Sequence, residues 1–167
     1  MGEIRVNVKL ENSVDRALVH RGDGLENEVR HTNIEGIVDT GAVSLVIPEE
    51  VVTQLGLQQT GTRTVVYADE RREERPIAGP VTIEISNLAM RTDCIVGAPE
   101  SELLIGQIVL EALDLVADCT NQTVAPRHPE GPVLALRRLA EGRPRRRRQH
   151  EGLSARDQVF NRPSSDG

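Results

Sequence analysis

The sequence predicts an all-β protein carrying one or two short helices. Three observations predict it. Tyr67 and Phe160 are the only aromatic residues and Trp is absent, so the core must be built from Val, Ile, Leu and Ala. Val and Ile are stiff at the first side-chain torsion and favour strands. Several segments alternate apolar and polar residues, the mark of a strand with one buried face.

The elements follow in order. Arg5-Val6-Asn7-Val8-Lys9-Leu10 alternates with period two and reads as a strand. A polar stretch ending in the turn Arg21-Gly22-Asp23-Gly24 follows, and residues 28–33 return as a partner strand. Ile34-Glu35-Gly36-Ile37-Val38 then runs into Asp39-Thr40-Gly41-Ala42, with a short apolar strand at 44–47 beyond it. Residues 48–56 read as a two-turn helix, with Pro48 in the first helical position, Glu49 and Glu50 at the positive end of the dipole, and Gly56 as terminator. Residues 62–67 form a strand, and the very polar stretch 68–75 a solvated hairpin tip or loop. Further strands are expected at 81–85, 90–96 and 103–106, then a short helix at 109–113. Residues 115–117 and 123–125 can close a hairpin around Thr120-Asn121.

A chain of 167 residues suits one domain. Residues 1–128 are expected to form it, and residues 129–167 a basic, largely disordered tail. Residues 1–126 hold 10 basic and 21 acidic residues, a net −11, whereas residues 127–167 hold 10 and 5, a net +5. Val133-Leu134-Ala135-Leu136 could add a strand or short helix, and disorder is expected from about Glu141, where little remains to bury. The run Arg143-Pro144-Arg145-Arg146-Arg147-Arg148 lacks interleaved aromatics for base stacking, so a solvated tail is favoured over a nucleic-acid contact.

Other classes are disfavoured. No stretch approaches the roughly 20 apolar residues of a membrane span, and Met1-Gly2-Glu3-Ile4-Arg5 lacks a secretory apolar run, so a cytoplasmic location is expected. Cys94 and Cys119 have no metal-type spacing and read as two reduced thiols. His20, His31, His128 and His150 lie too far apart to suggest a zinc site, and no metal or cofactor is expected. Ser44 and Ser101 lack nucleophile-elbow glycines.

The segment that carries chemistry is Val38-Asp39-Thr40-Gly41-Ala42, set between two apolar strands. As a bare tripeptide Asp-Thr-Gly is a turn signal. Its setting says more: apolar residues precede it, a small residue follows, and an apolar strand and helix come next. Ile37-Val38-Asp39-Thr40-Gly41-Ala42 resembles the active-site loop of the retropepsin-like aspartic proteases. Val46-Ile47-Pro48-Glu49-Glu50-Val51 with Leu55-Gly56-Leu57 is similar to the small bacterial members of that clan. Leu104-Ile105-Gly106 resembles the segment that packs beneath the catalytic loop, and the residues that follow resemble its short helix. The resemblance covers residues 6–126.

The resemblance implies a closed or partly open acid-protease barrel, and an endopeptidase in which Asp39 is the catalytic carboxylate. Thr40 would hydrogen-bond across a dimer, and the Gly41 backbone would approach the carboxylates. Two neighbouring carboxylates share one proton and activate a water. The chain has one Asp-Thr-Gly, so two copies must each supply Asp39 across a two-fold axis. Ala42 stands where pepsin-like enzymes often carry a Ser hydroxyl, which implies a less acidic optimum. Ala42, Tyr67, Ala68 and Asp69 are candidates for contact with a peptide substrate, the last three at the tip of a flap. Leu104, Ile105 and Gly106 would support the loop. The family's dimer-supporting Arg and Asp are replaced by Gln107 and Val43. A non-catalytic dimerisation or peptide-binding module is the alternative.

Overall fold

Nine strands and three short helices make up the described residues, 3–133, of the computed structural model. β1 (Ile4–Asn12) and β2 (His31–Val38) pair antiparallel from Ile4↔Val38 to Glu11↔His31. β7 (Leu103–Ile105) adds to β2 in parallel, and β3 (Val46–Ile47) joins β7 to β6 (Leu88–Val96). β6 pairs antiparallel with β5 (Arg72–Ile85), whose second half returns to β1 with Leu10 opposite Ile83. Six strands therefore close into a barrel in the order β1-β2-β7-β3-β6-β5. β4 (Gln58–Val66) stands outside the ring, paired to the first half of β5. β8 (Leu115–Asp118) and β9 (Thr123–Pro126) form the separate hairpin that the sequence predicts.

The barrel is filled by aliphatic side chains, as the lack of aromatics requires. Leu10, Ile47, Leu55, Val81, Ile83, Ile105 and Val109 are fully buried. α2 (Glu49–Leu55) contributes Val51, Val52 and Leu55 from one face, and α3 (Gln107–Ala112) contributes Val109 and Leu110. Cys94 and Cys119 are free thiols, and burial pushes the Cys94 thiol up to about 12.

Several elements differ from expectation for identifiable reasons. The polar stretch after β1 contains α1 (Ser13–Arg21). Asn12 caps it, its side chain accepting from the Val14 and Asp15 amides at 2.8 and 3.2 Å, and Gly22 ends it in the left-handed region at φ 81°. The weak apolar stripe of α1 hides it from periodicity, since Val14 and Leu18 stay partly exposed. Pro48 is the N-cap of α2, not its first helical residue. Residues 72–75 are strand, not loop, because β4 and β5 pair as far as Val66↔Arg72. The tail readings (the strand or helix at 133–136 from Leu134 onward, the disorder from Glu141, and the arginine run) lie outside the described residues.

Candidate active site

Asp39 stands at the end of β2, where the chain leaves the barrel wall. Parallel pairing of Val38 with Ile105 fixes its position, and its amide donates to the Ile105 carbonyl at 3.1 Å. The loop then turns, with the Ala42 amide donating to the Asp39 carbonyl at 3.1 Å. The Gly41 amide donates to Oδ1 of Asp39 at 2.9 Å and aims the carboxylate. A Cβ on Gly41 would lie 3.2 Å from that oxygen, so glycine gives the backbone its approach.

Leu104-Ile105-Gly106 passes directly behind this loop. Ile105 is fully buried, and Leu104 pairs with both Ile37 and Val46. A Cβ on Gly106 would lie 2.7 Å from the Ser44 nitrogen and from the Val43 carbonyl carbon. The Gln107 and Ile108 amides, at the start of α3, donate to the Ala42 and Val43 carbonyls at 2.8 and 3.1 Å. The end of β7 and the start of α3 thus clamp the loop by backbone contacts, which leave Gly106 no room for a side chain.

Two concavities meet at Asp39. The larger, about 1070 Å³, runs between the loop and the β4–β5 hairpin. Asp39, Gly41, Ala42, Tyr67, Ala68 and Leu104 line it, all singled out by the sequence. Asp69 is not among its lining residues; it sits in the exposed tip and accepts from the Arg71 amide at 3.1 Å. The Tyr67 hydroxyl donates to Glu73 at 3.0 Å, and the Arg71 guanidinium stacks over the Tyr67 ring at 4.4 Å. The smaller concavity, about 400 Å³, reaches Asp39 from the other side and includes exposed Thr40, Ala117 and Cys119. Glu102 borders both, its carboxylate held by Arg5 at 2.8 Å.

The cleft lining also includes Val46, Ile95 and Val96 on the floor and Arg63 on the overhanging hairpin, none of them named for the site from sequence, together with Arg71 and Arg75 from the stretch 67–75 that the resemblance offered as a flap. The floor residues read only as strand core. The arginines sat in or beside a stretch read as loop, and period-two spacing from Tyr67 was the signal that could have placed Arg71 and Arg75 on one face. Among the described residues no group of three or more His, Cys, Asp or Glu side chains could hold a metal ion.

A barrel closed around an Asp-Thr-Gly loop, with an apolar-apolar-Gly strand crossing behind it, is the acid-protease arrangement. The aspartyl protease family model matches residues 25–109, about half of the chain, and the chain belongs to that retropepsin-like family. No curated protein matches it.

Proposed function

We propose that this chain is one subunit of a homodimeric aspartic endopeptidase. Two Asp39 carboxylates, one from each copy, flank a shared water. The ionised member takes a proton from the water as its oxygen attacks the scissile carbonyl carbon. The protonated member gives its proton to the carbonyl oxygen. The carboxyl that took the water's proton then gives it to the amide nitrogen, the other carboxylate takes a proton from a hydroxyl of the tetrahedral intermediate, and the C–N bond breaks to release acid and amine.

The observation that carries this reading is the Asp39 carboxylate, held by the Gly41 amide beside a cleft of about 1070 Å³ that runs under the β4–β5 hairpin. Exposed Thr40 and the second concavity beside Asp39 leave room for a partner's loop. Thr40 is assigned to the bond between the two loops. Tyr67 and Ala68 on the overhanging hairpin are assigned to the flap, with Asp69 in its turn. The apolar floor of Val46, Ile95 and Val96 supports hydrophobic residues on either side of the scissile bond. Ala42 offers the carboxylate no hydroxyl, so the rate is expected to peak above about pH 3.

Cleavage of an unstructured protein tests the reading. Wild type is expected to cut between about pH 4 and 7 and to be blocked by a statine-type transition-state analogue. The Asp39→Asn variant is expected to be silent. A folded wild type that cuts nothing would instead indicate a non-catalytic peptide-binding or dimerisation module.

A further inference from the structure

Side chains directly opposite each other in an antiparallel pair point to the same face. In the β4–β5 hairpin Arg63 faces Arg75 and Val65 faces Glu73. Tyr67 and Arg71 close the ladder, the Tyr67 amide donating to the Arg71 carbonyl at 2.9 Å. One face therefore presents Arg63, Val65, Tyr67, Arg71, Glu73 and Arg75. This is the inward face. Along β5 exposure alternates, with Arg72 and Glu74 open and Glu73 and Arg75 half-buried. The three arginines all line the large cleft.

The charge on this face is unbalanced. It holds three arginines and one glutamate, and Glu73 is already engaged by Arg75 at 3.3 Å and by the Tyr67 hydroxyl. Arg71 reaches only Asp69, at 3.9 Å in the exposed tip. Among the described residues Arg63 has no ion-pair partner, yet it lies directly across from Arg75. Like charges in that position repel and weaken a hairpin. The imbalance runs against the chain's own composition, since residues 1–126 hold 10 basic residues against 21 acidic ones. Three of those ten sit on one six-residue face over the cleft.

We propose that this face is a specificity subsite for acidic side chains, in which Arg63 and Arg75 hold an Asp or Glu of the peptide in the cleft. The inference rests on the peptide-cleft reading above and names the substrate class: segments with apolar residues at the scissile bond and a carboxylate nearby. The bound carboxylate relieves the Arg63–Arg75 repulsion. It also gains charge-assisted hydrogen bonds from the two guanidiniums.

Binding and cleavage are measured separately, so that failure of this inference is distinct from failure of the peptidase reading. Full-length protein carrying Asp39→Asn is titrated with fluorescent peptides sharing one apolar centre, with Asp or Glu at successive flanking positions or the matching Asn or Gln. Anisotropy is expected to show at least one acidic peptide binding about tenfold more tightly than its amide counterpart at low salt. That ratio is expected to fall as salt rises and to approach one in Arg63→Gln. Arg63→Glu is expected to reverse the preference towards Lys at the same position, a gain that misfolding would not produce. Equal affinities at every position, no binding of either series, or a preference that survives Arg63→Gln would overturn the proposal. In wild type, Asp39-dependent cleavage of the amide and acidic peptides at equal rates would overturn it and leave the peptidase reading standing. Absence of cleavage would remove the peptidase reading and leave the subsite to the anisotropy result.

Discussion

Gly106 does its work by lacking a side chain. The carbonyl of Ser44 and the backbone of Val43 occupy the space where a Cβ would stand. Gly106→Ala is expected to push the Asp39 loop off the β7–α3 junction, at a cost of about 1–3 kcal/mol. Urea denaturation measures that cost, and a parallel activity assay should show a loss larger than stability alone explains. Charged residues set a second behaviour. Arg16 beside Glu11, Arg30 beside Asp15 and His128 beside Asp114 hold each carboxylate below its usual range. Each is more readily ionised folded than unfolded. The stability they add is complete above the unfolded carboxylate values near pH 4, and is lost as pH falls through the lower folded values. Thermal melts should therefore drop steeply below about pH 4, and Glu11→Gln should flatten that acid limb. At this scale the sequence was most legible where chemistry demands one residue type. Asp39 and Gly106 were identifiable from their neighbours along the chain. The ion pairs were not, because Arg30 and Asp15 meet only once β2 has folded back past α1.

The β4–β5 hairpin divides β5 into two environments. Val81–Ile85 lies between β1 and β6, while Arg72–Arg75 is bonded on one side only, to β4. Amides near Val65 and Glu73 are expected to exchange with solvent well before those of Val81 and Ile83, and hydrogen exchange read by mass spectrometry would show it. Uniform protection along β5 would mean the hairpin opens only with the barrel. The same division explains what the sequence concealed here. Val81 to Ile85 alternates cleanly because one face is core. Arg72 to Arg75 is charged on both faces, so a reading based on burial sees a loop, although backbone pairing continues. Conversely α2 was legible because Val51, Val52 and Leu55 bury one face between an acidic first turn and Gly56.

For the whole molecule, the β class and the aliphatic core followed from composition and alternation, but closure into a barrel did not. The contact that closes the ring, Leu10 against Ile83, joins residues far apart in sequence, and no local pattern reports it. The proposed dimer makes a prediction at this scale. If each copy supplies one Asp39, adding an equal amount of the Asp39→Asn chain and allowing exchange should about halve the wild-type activity, since only like pairs of wild type remain competent. Unchanged activity would mean that one chain suffices or that subunits do not exchange. Closure has one more consequence. A ring of strands has no end strand: each of its six members has a neighbour on either side for part of its length, and β5 also carries β4. The outer side of β4 is unpaired along the whole strand and is a free backbone ladder of the main sheet. Its sequence, Gln58-Gln59-Thr60-Gly61-Thr62-Arg63-Thr64-Val65-Val66, is polar for most of its length and bears a cation. A free edge of this kind recruits other strands into fibrils when it is long, flat and apolar. Here the bulge between Gln59 and Gly61 and the charge of Arg63 keep it a poor template, so the residue that would greet an acidic peptide also guards the chain against its own copies.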